Sequence, residues 1–304
     1  MMNSIPGNPK TVLRSYIKLL RIPHWIKNGL VFLPVAFSGE LLNAECLAKS
    51  ALAFISFCLI SSAVYVNNDL KDVDADRSHP TKCQRPLASG AISPSHAKIL
   101  LAILASTALI AAFVFGGAAS DVILASYLAL NIAYSFGLKN EPIVDIAILS
   151  AGFVLRVLYG GAFCNIPISP WLFLTILAFA TYFAFGKRHG EQKVYGNSSR
   201  KSLENYPSAF LSNGMTVFLT LGLAFYSLWS YERIAPQTSC LTPSATLLVV
   251  GVPLVMSICL RYNFIVSQSQ SDGDPADVLF SDKWLIALLV CWVITVVVSI
   301  YLLG

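Results

Sequence analysis

The chain has 304 residues, of which 56% are hydrophobic and 12% charged, with a formal net charge of +5. Soluble domains carry about 25% charged residues, so this balance excludes an ordinary soluble protein and points to a polytopic membrane protein. Seven scattered cysteines form no CxxC pair and no Cys/His spacing suited to zinc, which leaves them as small apolar residues.

Residues 1–24 are mostly polar and lack the compact apolar core of a cleavable signal. They read as a cytoplasmic N-terminal segment ahead of a single transmembrane catalytic domain over 25–304. Windows of about 20 apolar residues mark candidate spans at roughly 25–42, 46–66, 97–116, 120–138, 143–163, 169–186, 210–231, 243–264 and 283–303. The expected fold is therefore all-α, a bundle of about nine transmembrane helices. The first span is the weakest, since Pro34 interrupts it and Lys27 and Asn28 stand near its start.

With the N-terminus inside, the inside segments carry nearly all the Lys and Arg, and the outside loops hold only Lys49 and Arg233. By the positive-inside rule this sets the orientation, with the polar chemistry on the cytoplasmic face. The net charge then reflects topology and anionic partners, including membrane lipids, and gives no reason to propose nucleic acid.

The first inside segment, 67–86, is the most informative. Asp69, Asp72 and Asp76 stand at i, i+3 and i+7, within roughly 60° of one another on a helix, whereas Asp74 points the other way. Three carboxylates on one stripe repel unless a cation sits among them. Asn68, Asp72 and Asp76 also form an i, i+4, i+8 row, so Asn68 can add a neutral oxygen ligand. Mg²⁺ takes few carboxylates together with waters and phosphate oxygens, so this donor set suits a metal held jointly with a diphosphate. Arg77, Lys82 and Arg85 follow, with His79-Pro80 and Arg85-Pro86 breaking the helix so that the loop can fold back over the stripe. A guanidinium grips phosphate through two parallel hydrogen bonds. The plain alternatives are a solvated helix end and positive-inside anchoring.

The next inside turn brings Tyr134, Lys139, Glu141 and Asp145 together, and Arg156 follows within the fifth span. Asp145 and Arg156 are separated by about 20° of azimuth and roughly 16 Å along the axis, so both should face one side of that helix. An intramembrane Arg is a functional-site candidate, because hydrocarbon penalises it unless a partner or water is present. Lys187, Arg188 and Glu191 leave the sixth span, where Lys187 and Glu191 also fit an ordinary i, i+4 surface pair. Lys27 and Asn28, beside Trp25, fit an interfacial anchor or a phosphate site at headgroup depth.

At these residues the chain resembles the UbiA superfamily of intramembrane prenyltransferases. The row Asn68-x-x-x-Asp72-x-x-x-Asp76, followed by Arg77 and Arg85-Pro86, looks like its first Asp-rich motif, and Tyr134, Lys139 and Asp145 look like part of its second. The motifs Asn68-Asp69-x-x-Asp72-x-x-x-Asp76-Arg77-x-His79-Pro80, Lys187-Arg188-x-x-Glu191 and Asp274-Pro275-x-Asp277-Val278 are similar to the decaprenyl-phosphate phosphoribosyltransferase branch, as is the opening Arg21-Ile-Pro-His-Trp25-Ile-Lys27-Asn28. The resemblance implies Mg²⁺-dependent transfer of 5-phosphoribose from 5-phosphoribosyl 1-diphosphate to a polyprenyl phosphate at the bacterial inner membrane, for arabinan precursors of the cell wall. It assigns metal and diphosphate to Asn68, Asp69, Asp72 and Asp76. Arg77, Lys82 and Arg85 then hold phosphate, with Lys27, Lys139, Arg156, Lys187 and Arg188 shared between sugar phosphate and lipid phosphate. A prenyltransferase acting on an aromatic acceptor shares fold, metal and diphosphate and is the alternative, although its second cluster of several aspartates is reduced here to Glu141 and Asp145. A lipid transporter or binding protein is the third reading, and homo-oligomerisation stays open.

Overall fold

The computed structural model describes residues 9–78, 82–195, 203, 205–232, 243–268 and 272–303. Among them there is no strand, as expected of an all-α membrane protein. The chain begins with α1 (Pro9–Leu20), turns at Arg21 in the left-handed region, and continues as a 3₁₀ segment, Ile22–Phe32, into the short α2 (Leu33–Ser38). The expected first span over 25–42 is thus no continuous α-helix. Pro34 removes a donor from an i→i−4 ladder, and Gly39, at φ +88°, ends α2 in a conformation open to glycine.

The long helices follow. α3 (Ala44–Lys71) starts at Asn43, whose Oδ1 accepts from the Glu45 and Cys46 amides, an N-cap that satisfies two orphan donors. Asp72 closes α3, and α4 (Val73–Ser78) is a separate short helix. Next come α5 (Pro94–Ala111), a π-helical turn, α6 (Gly117–Ser135), α7 (Val144–Cys164), α8 (Pro170–Tyr195), α9 (Ser208–Glu232), α10 (Pro243–Ser267), α11 (Pro275–Ser281) and α12 (Lys283–Val297).

Among the described residues, seven helical segments are long and apolar enough to cross a membrane; one of them, 42 residues long, contains both α5 and α6. The break between these two lies at Gly116-Gly117, where Gly117 has φ +77° and a Cβ on Gly116 would meet the Phe163 ring at 2.4 Å. Ile55, Ile103, Phe113, Val293 and many other large apolar side chains are exposed. That pattern is unfavourable in water and suits a surface bathed in lipid tails.

The interior packs α3 against α5 and α6, α7 against α6 and α8, α8 against α9, and α10 against α12. One contact fixes the approach to the cavity described next. Gly160 of α7 faces the Val31 carbonyl, which a Cβ would meet at 2.0 Å, so the 3₁₀ segment lies directly on the α7 backbone. That contact holds Lys27 and Asn28 beside α7.

Candidate active site

A cavity of about 460 Å³ opens among the 3₁₀ segment, α3, α6, α7, α8 and the 272–277 segment. Seven cationic side chains line it, Arg21, Lys27, Lys82, Arg85, Arg156, Lys187 and Arg188, against four carboxylates, Glu191, Asp272, Asp274 and Asp277. The excess of positive charge in a low-dielectric wall favours polyanionic ligands.

One rim is built on the end of α3. Arg21 donates to Asp69 at 2.8 Å, and Arg85 Nη1 reaches both Asp69 at 3.3 Å and Asp76 at 2.7 Å. Asp69 and Asp76 are buried, and the return of the chain after α4 places Arg85 over them. His79 and Pro80, expected to drive that return, lie outside the described residues. Asp72 stands apart, paired with Lys139 at 3.0 Å. The expected single stripe of three carboxylates is therefore interrupted, because α3 ends at Asp72 and Asp76 belongs to α4. The Asn68 carboxamide oxygen accepts from Ser135. Asp74 points outward as expected, but Arg77 goes with it, paired at 2.9 Å on the exposed side, and Arg77 does not line the cavity.

The opposite rim is the 272–274 segment seated on α8. A Cβ on Gly190 would meet the Asp272 backbone at 2.5 Å, and one on Gly273 would meet the Gly186 carbonyl at 2.4 Å. Gly186 and Gly190, one turn apart, thus make a groove for this segment, and Tyr262 ties it down by donating to the Gly273 carbonyl at 2.7 Å. Asp274 then lies between Lys27 at 2.6 Å and Lys187 at 3.0 Å. Burial alone would raise its pKa, but Lys187 and Lys27 outweigh burial and hold its carboxyl well below the usual carboxylate range. His24, half-buried beside Lys27, has its pKa lowered by burial and then by that lysine, so the neutral imidazole dominates at pH 7.

The wall between the rims is an ion-pair network. Arg188, fully buried, pairs with Asp145 at 2.7 Å and with Glu191, and donates to the Tyr134 hydroxyl at 2.9 Å. Asp145 also accepts from Tyr206 at 2.6 Å. Asp145 does not line the cavity; it holds Arg188, which does.

The floor is Arg156. Its Nε donates to Asn28 Oδ1 at 2.9 Å, Nη2 to the Tyr127 hydroxyl at 3.1 Å, and Nη1 to the Gly152 carbonyl. Asn28 is buried and is itself held by Ser61 at 3.0 Å and Cys58 at 3.2 Å. Asp145 and Arg156, placed by periodicity on one side of α7, engage different partners.

Of the residues singled out from sequence, Lys27, Asn68, Lys82, Arg85, Tyr134, Arg156, Lys187, Arg188 and Glu191 line the cavity. Arg21, His24, Tyr65, Tyr127, Asn131, Asp272, Asp274 and Asp277 line it too and were not assigned roles. A signal existed for two of them: Tyr127, Asn131 and Tyr134 stand at i, i+4 and i+7, a polar stripe within an otherwise apolar helix.

The donor set on the α3 rim fits Mg²⁺ in kind, since hard cations take carboxylate and carboxamide oxygens. Each such group is engaged by Arg21, Arg85, Lys139 or Ser135, and among the described residues no three His, Cys, Asp or Glu side chains converge as a metal site.

Residues 32–280 match the UbiA prenyltransferase family. The chain is 36% identical to a decaprenyl-phosphate phosphoribosyltransferase of Mycolicibacterium smegmatis, covering 97% of this chain and 95% of that protein. It is 35% identical to a decaprenyl-phosphate phosphoribosyltransferase of Corynebacterium glutamicum, covering 97% and 89%. A UbiA homologue from Archaeoglobus fulgidus, solved bound to DMAPP and Mg²⁺, superposes with a TM-score of 0.68 at 19% identity, covering 94% of this chain and 99% of that one. The fold, the polar cavity and these matches lead to one conclusion: the chain belongs to the UbiA prenyltransferase family.

Proposed function

We propose that the protein transfers 5-phosphoribose from 5-phosphoribosyl 1-diphosphate to a polyprenyl phosphate, decaprenyl phosphate in the first instance, and releases diphosphate. The observation that carries this reading is the cavity lining. Its cations suit a donor with three phosphate groups, and Tyr127, Asn131 and Tyr134 give it hydroxyl and carboxamide groups suited to a sugar. Beyond its diphosphate, an isoprenoid donor has only a hydrocarbon chain, which offers those groups no hydrogen bond. The near full-length similarity to two phosphoribosyltransferases of this kind supports the same donor.

In this reading an oxygen of the lipid phosphate attacks the anomeric carbon, the bond from that carbon to the diphosphate oxygen breaks, and the diphosphate leaves with the electron pair. The acceptor oxygen is already anionic, so no general base is required, and the anomeric configuration inverts. Asp69, Asp72, Asp76 and Asn68 are the residues that would hold Mg²⁺, which would supply charge neutralisation for the departing diphosphate. Arg21 and Arg85 supply positive charge for the phosphate groups at this rim. Lys27 and Lys187 supply positive charge at the other rim, and rate enhancement rests on positioning and electrostatics. The catalytic unit is 25–304, in a bacterial inner membrane with the cavity toward the cytoplasm, the side rich in Lys and Arg. The product serves arabinan precursor synthesis.

The test is the co-substrate dependence of diphosphate release. Purified protein should release diphosphate from 5-phosphoribosyl 1-diphosphate only when polyprenyl phosphate and Mg²⁺ are both present. Release that ignores the polyprenyl phosphate contradicts the reading.

A further inference from the structure

Arg21, Lys27, Arg85, Lys187 and Arg188 each face a carboxylate across the cavity wall. Arg156 does not. It is only 7% exposed, and all its hydrogen-bond partners, Asn28, Gly152 and Tyr127, are neutral. The Phe57, Tyr127 and Phe153 rings stand 5.1, 5.2 and 5.7 Å from its guanidinium carbon. These contacts orient the group without neutralising it.

A guanidinium has five N–H donors. One Nε–H, one on Nη1 and one on Nη2 are spent on the neutral partners, which leaves one on each terminal nitrogen. Such donors on a guanidinium's terminal nitrogens suit phosphate oxygens. Arg156 lies twelve residues into α7, about 18 Å from its first residue. The α3 rim, in contrast, sits in the last turn of its helix. Nearer the mouth, Arg21, Lys27, Arg85, Lys187 and Arg188 thus carry counter-charges, and at the floor Arg156 does not.

We propose that Arg156, positioned by Asn28 and Tyr127, forms a distinct inner subsite for a phosphate monoester, separate from the diphosphate site at the α3 rim. The inference rests on the proposed phosphoribosyl transfer, which brings two such groups to the cavity: the 5-phosphate of the sugar donor and the phosphate of the lipid acceptor. The subsite gives the bound substrates a fixed polarity, diphosphate outward and monoester inward. Asn28 acts here as a positioning residue, because it touches Arg156 through its Oδ1 while its amide nitrogen is fixed by Ser61 and Cys58.

The experiment titrates the full chain in nanodiscs with three probes: ribose 5-phosphate, farnesyl phosphate and Mg²⁺-diphosphate. Wild type, Arg156→Met and Arg156→Lys are compared, with thermal melting as a folding control. Removing charge-assisted hydrogen bonds should weaken one monoester by about 10- to 100-fold in Arg156→Met, while Mg²⁺-diphosphate affinity stays within about twofold. Arg156→Lys keeps charge without the fork and should fall between; it also serves if the Met variant does not fold. Selective loss of ribose 5-phosphate assigns the subsite to the donor, and selective loss of farnesyl phosphate assigns it to the acceptor. Unchanged affinity for both monoesters, or equal loss of all three probes, overturns the proposal. Failure of the broader reading shows separately, as wild-type protein that forms no phosphoribosyl lipid.

Discussion

The Arg85 guanidinium lies 2.7 Å from the Asp76 carboxylate and, through the same nitrogen, 3.3 Å from Asp69. One side chain from the loop after α4 thus fastens the end of α3 to α4 and compensates two buried carboxylates. Arg85→Ala should lower stability by about 1–3 kcal/mol, less than for a fully dry pair because Arg85 is part-exposed. It should also raise the KM for the phosphorylated donor. Thermal melting and steady-state kinetics check both; an unchanged KM would confine Arg85 to a structural role.

Asp72 and Asp74 give an internal comparison. Asp72 faces Lys139 at the mouth of the bundle, while Asp74 pairs outward with Arg77. Asp72→Asn should cut turnover by orders of magnitude with little change in melting, since part-exposed pairs contribute at most about 1 kcal/mol. Asp74→Asn should be nearly silent. Full turnover of a folded Asp72→Asn protein at saturating Mg²⁺ would remove Asp72 from the metal set.

Much of this was legible in the sequence, for identifiable reasons. Apolar windows of bilayer length mark helices directly, so α3 and α7 through α10 fall where expected. The 25–42 segment did not become a continuous α-helix, because Pro34 acts locally on a stretch whose mean hydropathy hides it. Lys27, Arg156 and Lys187 were marked by charge in or beside apolar spans. Of their charged partners, Glu191, four residues after Lys187 and 3.8 Å from it, was readable from spacing, and the more distant Asp274 was not. Lys27 meets Asp274, 247 residues away, and no local spacing encodes that pair. The outward placement of Arg77 was readable, since it stands three residues after Asp74, within about 60° of it on a helix and in pairing reach.

Close approach of backbones at Gly186, Gly190 and Gly273 sets where Asp274 sits. Gly190→Ala puts a Cβ 2.5 Å from Asp272 backbone, which no rotamer change relieves. The substitution should lift the 272–274 segment off α8, part Asp274 from Lys27 and Lys187, and reduce activity at least about tenfold, an outcome of misplacing groups by about 1 Å. Gly29, with nothing near its Cβ position, is the control and should tolerate Ala. Hydrogen exchange over 272–281 checks the mechanism: faster exchange in Gly190→Ala is expected, and unchanged exchange would refute it.

Asp274 also sets a pH dependence. Its folded-state pKa is depressed by Lys187 and Lys27 against the opposing effect of burial. The stabilisation is thus fully present above the unfolded-state value of about 3.9 and is lost as pH falls through the folded-state value. The stability gap between wild type and Asp274→Asn should be constant from pH 7 to about pH 5 and shrink only below about pH 4. A gap that closes between pH 7 and pH 5 would mean that another group, His24 foremost, governs this rim.

The most direct measurement is product mass under competition. Purified protein in nanodiscs receives 5-phosphoribosyl 1-diphosphate and a prenyl diphosphate together, with decaprenyl phosphate, an aromatic acid and Mg²⁺. Decaprenyl phosphate should gain one phosphoribosyl unit, with no prenylated acid formed. A prenylated aromatic acid, with decaprenyl phosphate recovered unchanged, would contradict it.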